Sequence, residues 1–504
     1  MSDSTRAPDT SAGIVAAEND AGNSARLDRS LAGGVAWTAG VKWLSQLLTW
    51  PATLVVVRLL SPDDYGLVAM GSVYVGLVNL VNEFGLGSAI IKHRELTRPQ
   101  IAQLSGLCVL FGLGGFVLSA AAAYPLALFY HTPAVTLVVI ALSVNFLLTS
   151  FKTVPLSLMQ RDFQFKESAL NEAVGAVVQS TTLVAFAYFG LRYWSLVLAF
   201  LLSSLATTIL SYLQRPHALA WPVPSEIREP MRFGSHLVGS RIGWYLYNNA
   251  DFFVVGRVLG QTALGAYSFG WSFATLPVEK VTTLIGRVAP PIFSAVQDDH
   301  KALRRYLTRL TGGIALLTLP AGVGLALVAP EFVSVALGDK WLAAIAPLRM
   351  LALFAAIRSI MPIVSQAGTA IGLAPYVMRN AIISAVVMPV AFLIGSHWGT
   401  SGVASAWLIA YPFVIAPLCV TVFRRIGLTA GEYARALWPA LSSTALMAPA
   451  VFLAQRSVNS AWPTGVRLLV EVSVGALAYG AALWILHRGD VRATATLIKS
   501  IRQG

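Results

Sequence analysis

Fourteen times along this chain a run of about twenty apolar residues recurs, with only short polar breaks between the runs. They span 33–60, 65–91, 101–129, 134–159, 168–189 and 193–213, then 233–259, 263–289, 310–329, 342–366, 375–395 and 403–423, and last 436–453 and 466–486. A bilayer's hydrocarbon core needs about twenty residues of helix to cross. Lipid offers backbone groups no partner, so runs of this length must be helices that satisfy their own hydrogen bonds. With 56% hydrophobic and 12% charged residues, the chain lies far from soluble composition, where about a quarter of residues are charged. The expected class is an all-α polytopic membrane protein of about 14 transmembrane helices, with 12 as the alternative count.

The cations orient these helices. Lys92, Arg94, Arg98, Arg161, Lys166, Lys301, Arg304, Arg305, Arg309, Arg424, Arg425, Arg488 and Lys499 fall at one set of loops and at the C-terminus. The alternate loops and helix ends hold only Arg58, Arg192, Arg257, Lys340, Arg456 and Arg467. The cation-rich side reads as cytoplasmic, with both termini on it. This pattern accounts for the net charge of +13 without a nucleic-acid partner. Residues 1–30 are polar, lack the basic start and apolar centre of a signal peptide, and read as a disordered cytoplasmic tail. Cys108 and Cys419 lie in apolar runs and read as small buried hydrophobes.

The chain also repeats itself. RLLSPDDYGLVAMG at 58–71 returns as RVLGQTALGAYSFG at 257–270, a constant offset of 199 (257 minus 58). Arg58, Leu60, Gly66 and Gly71 recur as Arg257, Leu259, Gly265 and Gly270, and Lys42 falls on Arg241. Each half then holds six helices, an even number, so the halves share one orientation and are related by an axis along the membrane normal. The organisation expected is a six-helix lobe at 31–213, an interlobe linker at 214–232, a second six-helix lobe at 233–423, and two extra helices with the C-terminal segment at 424–504.

Ionisable groups inside a bilayer are costly and are functional candidates for that reason. The cations Lys42, Arg241, Lys280, Arg349 and Arg358 lie within apolar runs, with Glu83, Asp251 and Glu279 nearest them. Counting along the helices places Lys42 and Glu83 roughly 12–14 Å deep on the first two helices, and Arg241 and Glu279 at a similar depth on the seventh and eighth. One reading is two structural ion pairs. The other is a hydrated cationic cavity lined by helices 1, 2, 7 and 8. The five cations against three acids leave +2, which suits an anion, and arginine suits phosphate in particular. Arg58 and Arg257 end helices 1 and 7, where the plain reading is an anchor at the interface. Asp251 reads either as an ion-coupling carboxylate or as a hydrogen-bonded structural acid. Ser61-Pro62-Asp63-Asp64 reads as a helix start, and Asp298-Asp299 as another. Glu172 and Glu471 have no assigned role. The seven histidines show no ligand spacing, and no cofactor, metal or catalytic constellation is expected.

The pattern R58-L-L-S-P-x-x-Y65-G66, with D251-x4-G256-R257-x2-G260-x4-G265-x-Y267, resembles Wzx-type polysaccharide transporters of the multidrug/oligosaccharidyl-lipid/polysaccharide exporter superfamily. The resemblance extends from about 31 to 423, and its general look is that of the exopolysaccharide branch. It implies a MATE-like fold and a flippase, not an enzyme. Such a protein carries polyprenyl-pyrophosphate-linked oligosaccharide across the bacterial inner membrane for exopolysaccharide or lipopolysaccharide biosynthesis, by alternating access around a cationic cavity. Carried onto this chain, substrate contact falls to Lys42, Arg241, Lys280, Arg58 and Arg257; only the last two lie in the motif. Coupling by membrane potential, H+ or Na+, and a polymerase or export machinery as partner, are further implications. An organic-cation antiporter of the same superfamily would want an acidic interior. A membrane glycosyltransferase or polymerase would want an outer domain or a metal-binding acid pair.

Overall fold

A computed structural model describes residues 37, 40–41, 43–83, 86–93, 95–223, 242–459 and 461–489. The expected tail at 1–30, and the candidates Lys42 and Arg241, lie outside the described residues, as does the side chain of Glu83. Within them the regular structure is helical throughout. Eight stretches of helix are long and apolar enough to cross a membrane, or nine with one bent pair counted as a span. Two of these, Asp339–Ala370 and Ala374–Ile426, each join shorter helices into one continuous run.

The helices in chain order are α1 (Trp43–Leu59), α2 (Pro62–Glu83), α3 (Leu86–Lys92), α4 (Arg98–Tyr130), α5 (Val135–Arg161), α6 (Phe165–Tyr188) and α7 (Trp194–Gln214). Then come α8 (242–254), α9 (Gln261–Ala295), α10 (His300–Leu327), α11 (Ala329–Ala336), α12 (Ile345–Arg358), α13 (Met361–Ala370), α14 (Ala374–Gly395), α15 (Gly399–Ile426), α16 (Ala430–Ser457) and α17 (Thr464–Leu486).

Local chemistry sets the breaks. Pro62 has no N–H and biases Ser61 away from helix, so α1 stops and α2 leaves it at 116°. Ser61 and Asp64 then cap α2 reciprocally: the Ser61 amide and hydroxyl donate to Asp64 Oδ2 at 3.0 and 2.7 Å, and the Asp64 amide donates back to the hydroxyl. Asp299 caps α10 by accepting from the amides of Lys301 and Ala302. Both acid pairs flagged in the sequence as helix starts are helix starts.

The two breaks match. α2 begins at Pro62 and α9 at Gln261, the same 199 residues apart as Arg58 and Arg257. Before α9 the chain makes a π-helical turn, Val255–Leu259, and then a positive φ of 86° at Gly260, a conformation that glycine adopts freely. α2 packs along α9. Gly71 rests on Val138 of α5, while its repeat Gly270 rests on Leu348 of α12. Each long central helix therefore meets the fourth apolar run of its own half.

The helix ends sort into two faces. One carries Arg98, Arg161, Lys166, Arg304, Arg305, Arg424 and Arg425 and is called the basic face here. There the segment 216–223 lies against the start of α4: the Ala220 amide donates to Ala102 O at 3.0 Å, and Ser105 hydrogen-bonds His217 Nε2 at 2.7 Å. The opposite face carries Arg58, Arg192, Arg257, Lys340 and Arg467.

Candidate functional site

On the opposite face the two halves close onto one another, and the contacts are reciprocal. A Cβ at Gly66 would lie 2.6 Å from the carbonyl carbon of Gln261 and 3.0 Å from the Gly265 amide nitrogen. At Gly265 it would lie 2.7 Å from the carbonyl carbon of Pro62 and 3.0 Å from the Gly66 nitrogen. Residue and repeat thus touch as the two copies do in a twofold-symmetric interface. One turn off, the Thr262 hydroxyl donates to Asp63 Oδ1, two positions that are again 199 apart. In lipid there is no hydrophobic drive between helices, so close backbone approach at small residues and hydrogen bonds must hold such a joint.

The arginines of the repeat cross the joint in opposite directions. Arg58, at the end of α1, donates through Nη2 to the carbonyl of Val335 in the last turn of α11. Coming back, Trp341 donates its indole N–H to Val57 O at 3.0 Å, and Lys340 Nζ reaches Arg58 O at 3.5 Å. Val57 and Arg58 lie in the last turn of α1, whose carbonyls have no partner within their own helix. The two helix ends therefore cap each other, with cations at the negative ends of both dipoles. Arg257 makes the mirrored move toward α4. Its Nη1 donates to His131 Nδ1 at 3.0 Å, and its guanidinium lies 5.7 Å from the Phe129 ring centroid. Arginine has no acceptor, so Nδ1 of His131 carries the lone pair.

Aromatic rings fill the space beneath. Trp341 is fully buried, with ring centroids 4.2 Å from Phe269 and 5.4 Å from Tyr65. Nearer the basic face, Tyr245 of α8 donates its hydroxyl to Val73 O of α2 at 2.9 Å. Arg192 sits 3.3 Å from the buried Asp64, so the α2 cap is also an ion pair.

The other candidates lie apart from this joint. Asp251 is fully buried. Its Oδ2 accepts from the Tyr267 hydroxyl (2.7 Å) and the Trp407 indole (2.9 Å), and its Oδ1 from the Phe252 amide (3.0 Å). Arg358 stands near it: Nη2 donates to Asn248 Oδ1 at 2.8 Å, and the guanidinium lies over Trp271. Glu279, Lys280 and Arg349 are exposed. Lys280 reaches across from α9 to Gln46 of α1 at 3.5 Å. Gln46, Ser45, Thr49 and Glu172 line a groove of about 230 Å³ between α1 and α6. The expected pairs Lys42–Glu83 and Arg241–Glu279 each include a group outside the described residues.

Three features had no role assigned from the sequence. Trp341 looks like one more apolar aromatic. Lys152 lies within α5, with Nζ 3.4 Å from the Thr207 hydroxyl of α7. Glu331, Arg467 and Glu471 come together from distant parts of the chain. Only the last had a sequence signal, an acid inside an apolar run.

Comparison with known proteins bears on the whole arrangement. Residues 55–346 match the family described as "Polysaccharide biosynthesis protein". The lipopolysaccharide biosynthesis protein WzxC of Escherichia coli (strain K12) is 26% identical over 61% of this chain and 63% of its own length. The succinoglycan biosynthesis transport protein ExoT of Rhizobium meliloti (strain 1021) is 26% identical over 63% of this chain and 65% of its own length. The chain thus covers just under two thirds of each. Among solved structures, the lipid II flippase MurJ in an inward closed conformation superposes with a TM-score of 0.72, at 14% identity, over 90% of this chain and 98% of that one. At that identity the likeness speaks for the fold.

Proposed function

Because the chain belongs to the polysaccharide biosynthesis protein family, we propose that it translocates polyprenyl-pyrophosphate-linked oligosaccharide across the bacterial cytoplasmic membrane, for exopolysaccharide or lipopolysaccharide assembly. It does so as a fourteen-helix flippase, with lobes at 31–213 and 233–423, two added helices, and both termini cytoplasmic. The basic face is the cytoplasmic one, in keeping with the positive-inside rule. The observation that carries this reading is the reciprocal joint at Gly66 and Gly265. It seals the two halves to each other at the outer face through contacts that relate residue to repeat. A joint of that kind can part along one plane, which is what alternating access needs.

The substrate's pyrophosphate meets the cations that the helices carry inward, Lys42, Arg241 and Lys280, with Arg58 and Arg257 at the outer exit. Glu83 and Glu279 neutralise part of that charge, and Asp251 serves as a structural acid or as a coupling site. A cytoplasm-negative potential moves the anionic lipid outward by about 2.3 kcal/mol per charge per 100 mV. The empty, net cationic cavity is drawn back by the same field. H+ or Na+ antiport is the alternative source of drive.

The test is flipping of a polyprenyl-pyrophosphate oligosaccharide in proteoliposomes, wild type beside Arg241→Ala. Wild type is expected to move the lipid, and the folded variant to lose at least tenfold in rate. If wild type expels an organic cation and moves no lipid, the proposal fails. If the variant flips as well as wild type, Arg241 leaves the substrate path.

A further inference from the structure

Behind the joint, α11 touches a second polar cluster that the translocation path does not use. Glu331, on α11, accepts from Arg467 Nη2 of α17 at 3.0 Å. Glu471 lies one turn further along α17, at i+4 from Arg467, and so on the same side of that helix. Gln455 of α16 closes the group, its Nε2 donating to Leu327 O at 3.1 Å and to Glu471 Oε2 at 3.3 Å.

The cluster is incomplete. Glu471 is fully buried and Glu331 is 9% exposed. Among the described residues, Oε1 of Glu471, Oε2 of Glu331 and Nε of Arg467 are buried without a hydrogen-bond partner. The two carboxylates act on each other electrostatically, and Arg467 acts on Glu471. These three are the charged groups that face one another here. The neighbouring Arg456 turns instead onto the Phe452 ring, 4.5 Å from its centroid. Two carboxylates against one guanidinium leave a charge of −1 between apolar helices, where an uncompensated charge is costly. Both unpartnered carboxylate oxygens are acceptors, and neither Arg467 nor Gln455 covers them. One added positive charge would neutralise the cluster.

We infer that Glu331, Glu471, Arg467 and Gln455 form a binding site for one monovalent cation, a proton or a sodium ion, lying between α11 and the two C-terminal helices. The site shares α11 with the joint. Glu331 is on the first turn of that eight-residue helix, and Val335, which holds Arg58, is on its last. Filling the site offsets the second carboxylate charge beside Arg467, and so changes how firmly α17 holds Glu331 and, with it, the helix that receives Arg58. The two C-terminal helices thereby gain a role as an ion-sensing arm. That role in transport rests on the flippase reading; the cation site does not.

The site is tested by binding alone, with no lipid-linked substrate present. Full-length protein in lipid nanodiscs is titrated with radiolabelled sodium at fixed pH. In parallel, proton uptake on stepping from pH 8 to pH 5 is measured as the difference between wild type and Glu471→Gln. Wild type is expected to take up one sodium ion, or one proton more than Glu471→Gln. Glu471→Gln should weaken sodium binding at least tenfold. Arg467→Gln takes the cluster to −2 and should tighten uptake by a similar factor, a direction that mere loss of packing would not give. If wild type binds no sodium and Glu471→Gln leaves proton uptake unchanged, there is no such site. If Arg467→Gln weakens binding instead, the electrostatic account of the site is wrong.

Discussion

The joint makes a sharp demand on Gly66. Replacing it by alanine drives a methyl group into the Gln261 carbonyl oxygen and to 2.6 Å from its carbonyl carbon, where carbon atoms rest at about 3.5–4.0 Å. The obstacle is backbone on both sides, so no side chain can swing away. α2 and α9 must part by at least about 1 Å. A gap of that size gives up about a quarter to a half of the dispersion energy along the seam. It also stretches the Trp341–Val57 bond from 3.0 Å to about 4 Å, outside hydrogen-bonding range. Overpacking of this kind costs about 1–3 kcal/mol, a shift of about 5- to 150-fold in the ratio of joined to parted halves. Spin labels at Tyr188 and Trp398, exposed residues in the two halves, should report a longer distance for Gly66→Ala by double electron–electron resonance. Gly265→Ala should do the same. Gly114 has nothing within 4 Å of its added Cβ, so Gly114→Ala is the matched control and should leave the distance unchanged. An unchanged distance in both joint variants would refute the argument that this contact sets the closed state.

Two further outcomes follow from buried polar groups. Asp251→Asn presents an amide donor where the acid receives only donors, so the variant should lose about 1–3 kcal/mol of stability. Thermal unfolding in detergent checks this, with Tyr267→Phe expected to cost less because Trp407 still donates to the carboxylate. At the basic face, burial holds the His217 imidazole below its usual 6.5, partly offset by its hydrogen bond to Arg215 O. The folded value lies below the unfolded one, so this contribution to stability is present above pH 6.5 and is lost as pH falls through the folded value. Hydrogen-exchange protection of 216–223 should therefore drop on acidification in wild type, and His217→Gln should lack that step.

Much of this was legible because the residues that repeat are those whose chemistry is geometric. A glycine repeats at Gly66 and Gly265 where two backbones meet, and an arginine at Arg58 and Arg257 where a helix end must reach across. Ser61 and Asp64 announced their cap by spacing alone. What stayed hidden depends on partners far away in the chain. Nothing near Trp341 says that its indole caps a helix more than two hundred residues earlier. Glu331 and Arg467 each look like loop charges until α11 turns back under α17. Lys152 stands among Thr149, Ser150 and Thr153, which soften the apolar run around it, though its Nζ is held against α7.

Four of the bonds that bridge the halves share one trait: Val335, Val57, Arg58 and Val73 receive them through main-chain oxygen. A peptide oxygen cannot be deleted by a point change. Drift at those four accepting positions leaves the acceptor in place, and heritable control of these bonds lies with their donors, Arg58, Lys340, Trp341 and Tyr245. Relatives that open more readily should differ at those four positions first, while the surfaces they grip diverge freely.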